Sequence, residues 1–247
     1  AIERRIKNRP AAYTPRATTM SELPNRLFRR EMRPRAISRL PLRFEKKLDR
    51  FRYRAWFHGK EFSTDWTSWY FTLWRRVLSP LRHHPLRILE IGSWEGRSAL
   101  FFINFFERAT ITCIDTFRGG MEHAHMAAQV SQIEDRFDRN LAPFKHRVEK
   151  IKAPSRQALD QLAAQQRRYD LAYIDGSHVS DDVMADSLGV WSILNPGGIV
   201  IWDDYRFGQD FPPEQRPQPA IDAFLHQHEG AYRLLFKGEQ VIIERQD

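Results

Sequence analysis

The chain has 247 residues, 42% of them hydrophobic, and a formal net charge of +8 at pH 7. That length predicts one large α/β domain with an extension, and the hydrophobic share is sufficient for a sizeable core. No apolar run approaches the ~18 residues that a membrane-spanning helix needs, and no basic start leads into the apolar segment of a secretory signal. The single cysteine, Cys113, excludes an internal disulfide and favours a reducing, cytoplasmic setting.

The positive charge lies in the first 60 residues, which hold 18 Lys and Arg against 5 Asp and Glu. Their balance is +13, so residues 61–247 carry −5. We therefore divide the chain into a basic, partly helical N-terminal extension (1–60) and a second, folded domain (61–247). Such an arm can contact RNA, an anionic lipid or an acidic partner. We favour packing of the arm on a second copy of the chain, which makes a homo-oligomer, over binding of a nucleic acid.

Five prolines from residue 10 to residue 41 predict loose structure before the first helix. The pattern then turns helical over residues 42–57, with Phe44, Leu48, Phe51 and Phe57 expected on one side. Residues 62–78 also show helical spacing of large apolar side chains, namely Trp66, Trp69, Tyr70, Leu73, Trp74 and Val77. A stacking platform for nucleic acid has this composition, but packing against a sheet is the favoured interpretation.

From residue 87 onward, strand and helix patterns alternate. Strands are predicted at 87–91, 110–115, 147–151, 169–175 and 198–202, with a hairpin at 231–236 and 240–244; helices are predicted at 96–107, 121–141, 155–166, 180–194 and 219–228. Ser155 and Ser180 are predicted N-caps, residues 195–198 a turn and residues 206–218 a surface loop. The alternation predicts an α/β fold with a Rossmann-like, doubly wound, mostly parallel sheet and an antiparallel hairpin at one edge.

A glycine-containing loop joins the first strand to the next helix. The order Glu90-x-Gly92-x-x-x-Gly96 places one glycine where backbone can approach a ligand and another where helix and strand pack closely. A dinucleotide fingerprint is one interpretation, although the third glycine of that motif is missing. Asp115 ends the second strand, where a carboxylate can accept hydrogen bonds from a ribose diol; a solvated loop aspartate is the alternative.

Three aspartates follow two further predicted strands. Asp175 begins an Asp-Gly-Ser-His run, and Asp203 and Asp204 follow Ile-Val-Ile-Trp. Because ligands bind at the carboxyl ends of parallel strands, we expect the three carboxylates to meet there. They repel one another unless protons or a cation intervene, and oxygen ligands suit a hard ion such as Mg²⁺. In a metal-free alternative, one aspartate contacts the ammonium group of a cofactor and the others are solvated.

The glycine loop resembles the first motif of class I S-adenosylmethionine-dependent methyltransferases. Residues 175–178, 191–198, 203–205 and 218–224 together resemble the metal-dependent O-methyltransferases, in particular those that methylate sugar hydroxyls on antibiotics, and also the catechol type. This resemblance implies that Asp175, Asp203 and Asp204 are metal ligands and that His178 is a general base. Cofactor contacts are then assigned to Glu90, Gly92, Ser93, Gly96, Asp115, Thr116, Ser155, Arg156 and Asp175. In the catechol type the position of Asp204 holds an amide, and the small Gly-x-Ser turn usual after the third strand here reads Ala-Pro-Ser, so both positions depart from the pattern.

These residue types suit methyl transfer to an oxygen. A hydroxyl is a poor nucleophile while protonated; bound Mg²⁺ lowers its pKa, and a histidine, with an unperturbed pKa near ~6.5, can take the proton. We therefore expect His178 and Asp175 to be catalytic, with S-adenosylmethionine and Mg²⁺ or another hard divalent cation as cofactors. Because a metal favours a ligand with two neighbouring oxygens, the expected acceptor is a small-molecule hydroxyl on a sugar diol or a catechol.

Three other functions stay open at this point. The same scaffold can support a hydroxylase reaction or RNA methylation. The chain can also be a non-methylating module that keeps the cofactor pocket and binds a nucleic acid or another anionic partner through its basic arm. His123 and His125 are predicted to belong to a lid over the cofactor.

Overall fold

The computed structural model describes residues 42–120 and 127–246. Its strands form one seven-stranded sheet in the order β3-β2-β1-β4-β5-β7-β6. The strands are β1 Arg87–Ile91, β2 Thr110–Asp115, β3 Val148–Lys152, β4 Tyr169–Ile174, β5 Leu194–Trp202, β6 Tyr232–Lys237 and β7 Val241–Arg245. The helices are α1 Leu42–Tyr53, α2 Phe71–Leu78, α3 Arg97–Phe105, α4 Ala127–Val130, α5 Ile133–Leu141, α6 Ser155–Ala164, α7 Ser180–Ile193 and α8 Pro217–Gln227.

Strands β1 to β5 are parallel, and β7 is antiparallel to both β5 and β6. The predicted Rossmann-like sheet with an antiparallel edge hairpin is therefore confirmed. Because the order reverses between β1 and β4, this position is the switch point at which a doubly wound sheet opens a crevice at its carboxyl edge. The glycine loop follows β1, and the three predicted aspartates follow β4 and β5. All three strands end at that edge.

The sheet separates two apolar clusters, since successive residues of a strand point to opposite faces. Ile88 and Ile242 belong to the cluster that packs on α1, α2 and α3. Leu89 and Ile243 belong to the cluster that packs on α6, α7 and α8. Both clusters are closed to solvent, so the elements that carry the site rest on a rigid, two-sided core.

The aromatic stretch before β1 is only partly helical. Residues 62–67 lie outside any helix, a 3₁₀ turn covers Ser68–Tyr70, and α2 begins at Phe71. Trp74 is fully buried against the sheet, whereas Trp66 is 45% and Trp69 51% exposed. The prediction of core packing is confirmed for Trp74 and wrong for Trp66 and Trp69.

The first helix turns its apolar side outward. Phe44, Leu48 and Phe51 lie on one side of α1, as expected, but that side faces outward and all three are more than half exposed. Glu45 and Asp49 are buried instead. The reason lies in α2, where Arg75 and Arg76 form ion pairs with these two carboxylates.

Several local predictions are wrong for identifiable reasons. Ser155 and Ser180 are the first helical residues rather than N-caps, because Pro154 and Val179 hold the extended cap conformation. The predicted turn at residues 195–198 lies within β5. The pairing with β4 explains this. Leu194 pairs with Tyr169 and Ile199 pairs with Leu171, so residues 195–198 of β5 lie opposite a single residue of β4 and form an irregularity in the ladder. Part of the loop at residues 206–218 is ordered as a 3₁₀ turn, Pro213–Gln215.

Two sequence-based predictions fall outside the described residues, namely the loose structure of residues 1–41 and the lid containing His123 and His125. Within the two described ranges, no helix has the length and apolar character needed to cross a bilayer.

Candidate functional site

The loop after β1 is held against the end of β4. Gly92 has a φ of 83°, and a Cβ at this position would lie 1.8 Å from the backbone oxygen of Asp175. The Asp175 amide donates to Ile91 O at 2.8 Å, and the Gly92 amide donates to Ile114 O at 2.9 Å. Only glycine allows this approach, because it lacks a side chain and tolerates a positive φ. The ends of β4 and β5, with Asp175, Asp203 and Asp204, form what we call the acidic edge. The glycine loop is therefore in direct backbone contact with this edge.

The loop then turns into α3 through Trp94 and Gly96, which both have a positive φ. A Cβ on Gly96 would lie 2.9 Å from a methyl group of Leu141, so this glycine permits the close packing of α5. The Trp94 ring lies 5.4 Å from that of Trp66. The segment before α2 thus contacts the glycine loop.

The Asp115 carboxylate is positioned by two backbone amides. Its Oδ2 accepts from Trp94 N at 2.8 Å and its Oδ1 from Phe117 N at 2.6 Å. An ionised carboxylate offers about four acceptor sites, and these two bonds use one site on each oxygen. Thr116 lies between these positions, and its hydroxyl accepts from Arg118 N at 3.3 Å. The structure therefore brings Asp115 to the glycine loop, as predicted.

Glu90 is fully buried beneath the same loop. Neither of its oxygens has a hydrogen-bond partner among the described residues. Burial raises the pKa of Glu90 to about 7, and the nearby Ser93, Ser98 and Cys113 offset only part of that rise. Ser93 is also buried. Glu90 and Ser93 thus support the loop from below rather than lining open space.

Glu95 is a buried residue that connects several segments, and the sequence analysis did not identify it. Its Oε2 accepts from Ser63 N at 2.6 Å and its Oε1 from Arg136 Nη1 at 2.6 Å. Its backbone oxygen accepts from Asn140 Nδ2 at 2.9 Å, and the same amide group donates to Glu61 O at 2.8 Å. Glu95 therefore ties residues 57–68, which we call the N-terminal strap, to the glycine loop and to α5.

Arg97, at the start of α3, holds the other side of the strap. Its guanidinium carbon lies 4.8 Å from the ring centroid of Phe57 and 4.7 Å from that of Phe62. Its Nη2 also donates to Asp65 Oδ2 at 2.8 Å and to Ser68 Oγ at 2.9 Å. The strap is thus fixed over the entrance to the loop by charge, stacking and hydrogen bonds.

At the acidic edge, Tyr173 lies between two of the predicted carboxylates. Its hydroxyl is 2.9 Å from Asp175 Oδ2 and is also in hydrogen-bonding contact with Asp203 Oδ2. Burial raises the pKa of Asp175, and the charges of Asp203 and Asp204 raise it further. Burial, followed by the charge of Asp204, raises the pKa of Asp203 to about 7. The carboxylates are thus close enough to disfavour each other's charge.

Asp204 and His178 face each other next to this pair. His178 Nε2 lies 3.0 Å from Asp204 Oδ2, and the imidazole stacks on Phe207 with centroids 4.0 Å apart. Asp204 has a φ of 53°, and that left-handed turn directs its side chain to a different side from the neighbouring Asp203. A small cavity of about 10 Å³, enough for about one water-sized group, is lined by Asp175, His178, Asp203 and Asp204, among other residues.

The donor set at this cavity has the chemistry of a hard-cation site, since it offers several carboxylate oxygens around a water-sized space. In the structure, protein partners already contact both oxygens of Asp203 and one oxygen each of Asp175 and Asp204. Over residues 42–120 and 127–246, no group of three or more His, Cys, Asp or Glu side chains is placed to hold a metal ion. The residue types fit a divalent cation, and the metal ligands stay a prediction.

The third predicted cofactor contact is less closely joined to the loop. The Ala153 amide donates to Asp115 O at 3.2 Å, which brings the end of β3 to the end of β2. Ser155 instead approaches Asp186 on α7, a carboxyl whose pKa is raised to about 6, chiefly by burial. Arg156 is exposed. The structure therefore brings Ser155 and Arg156 to the same edge of the sheet but not to the glycine loop.

Two tyrosines of the acidic edge were also missed. Tyr173 is two residues before Asp175, and the period-two pattern of a strand puts both on one face, so the sequence contained this signal. Tyr70 lies in the 3₁₀ turn before α2; its pKa is raised by burial and then by the charges of Asp203 and Asp204. Because it is more than 100 residues away in sequence, no local pattern could reveal it.

Comparisons with known proteins agree with this geometry. Residues 89–205 match the family described as a methyltransferase domain. The mycinamicin VI 2''-O-methyltransferase of Micromonospora griseorubida is 25% identical over 180 residues, which cover 64% of this chain and 40% of that protein.

Two solved structures share the fold. The MycE methyltransferase of the mycinamycin biosynthetic pathway, in complex with Mg and SAH, superposes with a TM-score of 0.56 at 20% identity, covering 85% of this chain and 56% of that one. An O-methyltransferase from Bacillus cereus in complex with SAH gives 0.53 at 14% identity, covering 84% of this chain and 100% of that one. The chain spans about half the length of the mycinamicin enzymes that it matches. With their glycine loop and acidic carboxylates, residues 89–205 of the chain match the methyltransferase domain family, on a fold shared with these solved methyltransferases.

Proposed function

We propose that the chain is an S-adenosylmethionine-dependent, Mg²⁺-assisted O-methyltransferase that acts on a hydroxyl of a small molecule. One observation carries the proposal: Asp175 contacts Gly92 through its backbone and lines the same cavity as His178, Asp203 and Asp204. A methyl-donor loop and an oxygen-activating site are thus adjacent, which is what in-line transfer requires.

Names of similar proteins support this proposal. The Micromonospora griseorubida relative is named a 2''-O-methyltransferase, and MycE has been solved together with Mg, SAH and mycinamycin VI. The first name describes transfer to an oxygen, and the second describes a methyltransferase bound to a small molecule. By this similarity, the expected acceptor here is a sugar diol or a catechol-like molecule.

For the cofactor, we propose that Gly92 provides the close backbone approach and Asp115 the ribose contact. The two amide hydrogen bonds to Asp115 fix the direction of its carboxylate before a ligand arrives. Gly96 keeps α3 close to the loop, and Glu90, Ser93 and Thr116 support its shape. For Ser155 and Arg156, which lie at the same edge of the sheet, we propose contacts with the adenine.

For the metal, we propose oxygens of Asp175, Asp203 and Asp204 as ligands. When bound, Mg²⁺ would lower the pKa of the acceptor hydroxyl, and S-adenosylmethionine would supply the methyl group from its sulfonium. In such a transfer, the acceptor oxygen would bond to the methyl carbon, the carbon–sulfur bond would break, and sulfur would keep the electron pair. Asp204 has two oxygens, so one can face the cation while Oδ2 faces His178.

We propose that His178 takes the proton that leaves the acceptor hydroxyl. Asp204 Oδ2, 3.0 Å from Nε2, then stabilises the imidazolium. The Phe207 ring, stacked on the imidazole, keeps its plane fixed. His178 and Asp175 are thus the proposed catalytic residues, one for the proton and the other at the contact between the donor loop and the metal site.

Methyl transfer to a panel of sugar diols, phenols and catechols, with Mg²⁺ present or chelated, tests the proposal. We expect transfer to one acceptor class, loss of turnover on chelation, and a loss of at least about 100-fold for His178→Gln, which is typical of a missing general base. Asp203→Asn is expected to act similarly, while Asp210→Asn, at an exposed position in the loop after β5, leaves the rate unchanged.

Calorimetry with S-adenosylmethionine separates the alternatives. Cofactor binding without turnover on any acceptor favours the non-methylating module. Turnover that survives both chelation and Asp203→Asn contradicts the metal mechanism. Light scattering of the full chain determines whether copies of the chain assemble. Assembly through the basic arm stays a prediction, and so does the reducing, cytoplasmic setting.

A further inference from the structure

Helix α1 has an inverted arrangement of polar and apolar side chains. A helix at the surface of a domain normally turns its apolar face inward. Here the inward face carries Glu45, Asp49 and Tyr53, all at most 3% exposed. The outward face carries Leu48, which is 54% exposed, and Phe51, which is 79% exposed.

Ion pairs with α2 fix this orientation. Arg75 Nη2 contacts Glu45 Oε2 at 2.8 Å, and Arg75 Nε contacts Asp49 Oδ2 at 2.8 Å. Arg76 Nε reaches the same Glu45 oxygen at 2.9 Å. Rotating α1 to bury Phe51 would leave two carboxylates and two guanidinium groups without these partners, which is costly in a partly dry contact. The outward apolar face is therefore a stable feature of the fold.

Basic side chains flank the outward apolar face. At 100° per residue, Lys47 lies between Arg50 and Phe51 around the helix, and Arg52 lies beyond Leu48 on the other side. These three basic residues, Lys47, Arg50 and Arg52, are all exposed. An apolar face bordered by long cationic side chains is the pattern of a helix that lies in the plane of a bilayer surface.

We propose that α1 docks on an anionic lipid surface, with Leu48 and Phe51 entering the headgroup region and Lys47 and Arg50 facing the lipid phosphates. Charge complementarity selects this occupant. A second copy of α1 would place like charges opposite each other. Residues 1–41 hold 11 Lys and Arg against 3 Asp and Glu, so this basic segment is also repelled by the helix. An anionic bilayer satisfies both the apolar and the cationic groups.

Vesicle flotation of the full chain tests the proposal, with phosphatidylcholine alone and with 30% phosphatidylglycerol as a chosen anionic composition. We expect binding to the anionic vesicles only, weakened by added salt. Leu48→Ser with Phe51→Ser is expected to weaken binding more than about tenfold. Lys47→Ala with Arg50→Ala is expected to weaken it about 30-fold, from ~1 kcal/mol per basic residue.

The matched control is Leu188→Ser with Leu234→Ser, which removes two exposed leucines elsewhere, 45% and 50% exposed. It is expected to bind vesicles like the unchanged chain. Circular dichroism melting of every variant confirms that the fold is retained. Vesicle binding that the Leu48 and Phe51 changes leave intact overturns the proposal, as does an absence of binding. A fall in oligomer mass in those variants overturns it in favour of a second copy.

Discussion

At the scale of single residues, the acidic edge depends on a proton that Tyr173 holds between two carboxylates. Tyr173 is fully buried, and its hydroxyl is within reach of Asp175 and Asp203. One phenolic proton cannot fully satisfy two charged acceptors. The arrangement is therefore suited to receive a positive charge, and removal of the hydroxyl should show this.

We expect Tyr173→Phe to lower the free energy of unfolding by about 2 kcal/mol, the usual cost of losing a hydrogen bond to a charged group. If a cation binds between the carboxylates, saturating Mg²⁺ reduces that loss. Urea denaturation with and without Mg²⁺ measures the loss of unfolding free energy and its reduction by the cation. Tyr169→Phe, which removes a buried hydroxyl bonded to Thr112 at 3.1 Å, is the control whose cost should not depend on Mg²⁺. An equal Mg²⁺ effect on both variants would contradict the expectation.

Glu90 gives a pH-dependent prediction. Because its pKa is raised from 4.5 to about 7 in the folded chain, the folded state binds the proton more tightly than the unfolded state. Stability from this group is present below pH ~4.5 and is lost as pH rises towards ~7, by about 3 kcal/mol in all. Glu90→Gln should not show this loss, so its stability relative to the unchanged chain rises between pH 5 and pH 8.

Urea denaturation at several pH values measures that difference. Other buried carboxyls, such as Asp186, titrate in both proteins and cancel in the comparison. Glu214→Gln, at an exposed position, is the control and should follow the unchanged chain at every pH. Parallel curves for Glu90→Gln would show that the Glu90 carboxyl is not held neutral by burial.

At the scale of elements, the loop after β1 depends on one close backbone contact. Gly92→Ala would bring a methyl group to 1.8 Å from the Asp175 backbone oxygen at a φ of 83°. Overpacking and the left-handed backbone together predict a loss of about 3 kcal/mol or more. Gly230→Ala has nearly the same φ, 84°, but no atom within 4 Å, so about 1 kcal/mol is expected. Denaturation of both variants measures the difference, and equal costs would rule out the clash.

The central strands β1, β4 and β5 could be predicted because each contains a short apolar run that burial favours. Leu171 to Ile174 is an example, and the carboxylate that follows was predicted at the correct edge. Features that depend on a distant partner were not predicted. The orientation of α1 depends on Arg75 and Arg76, and the junction at Glu95 depends on Asn140. A single sequence contains no record of such long-range pairs, because periodicity reports only which residues share a face.

At the scale of the whole molecule, the sheet divides the core in two. Ile242 packs in the cluster beneath α2 and α3, while its neighbour Ile243 packs in the cluster beneath α7 and α8. Both are fully buried. These two adjacent residues thus stabilise the apolar layers on opposite faces of the sheet. Strand β7 therefore contributes to both layers.

We expect Ile242→Val and Ile243→Val each to cost about 1 kcal/mol. The double variant should lose the sum of the two to within about 0.5 kcal/mol, as for independent sites. Urea denaturation of the three variants measures this. A coupling energy well above that margin would show that the layers relax together across the sheet.

The contact between Trp66 and Trp94 has a practical consequence. The two indole rings, 5.4 Å apart and inclined at 53°, join the N-terminal strap to the residue that directs its amide to Asp115. Aromatic chromophores at this separation couple their electronic transitions and give a paired signal in circular dichroism. The chain therefore contains its own optical reporter, so arrival of a ligand at the loop can be followed without any label, and Trp66→Phe provides the blank spectrum.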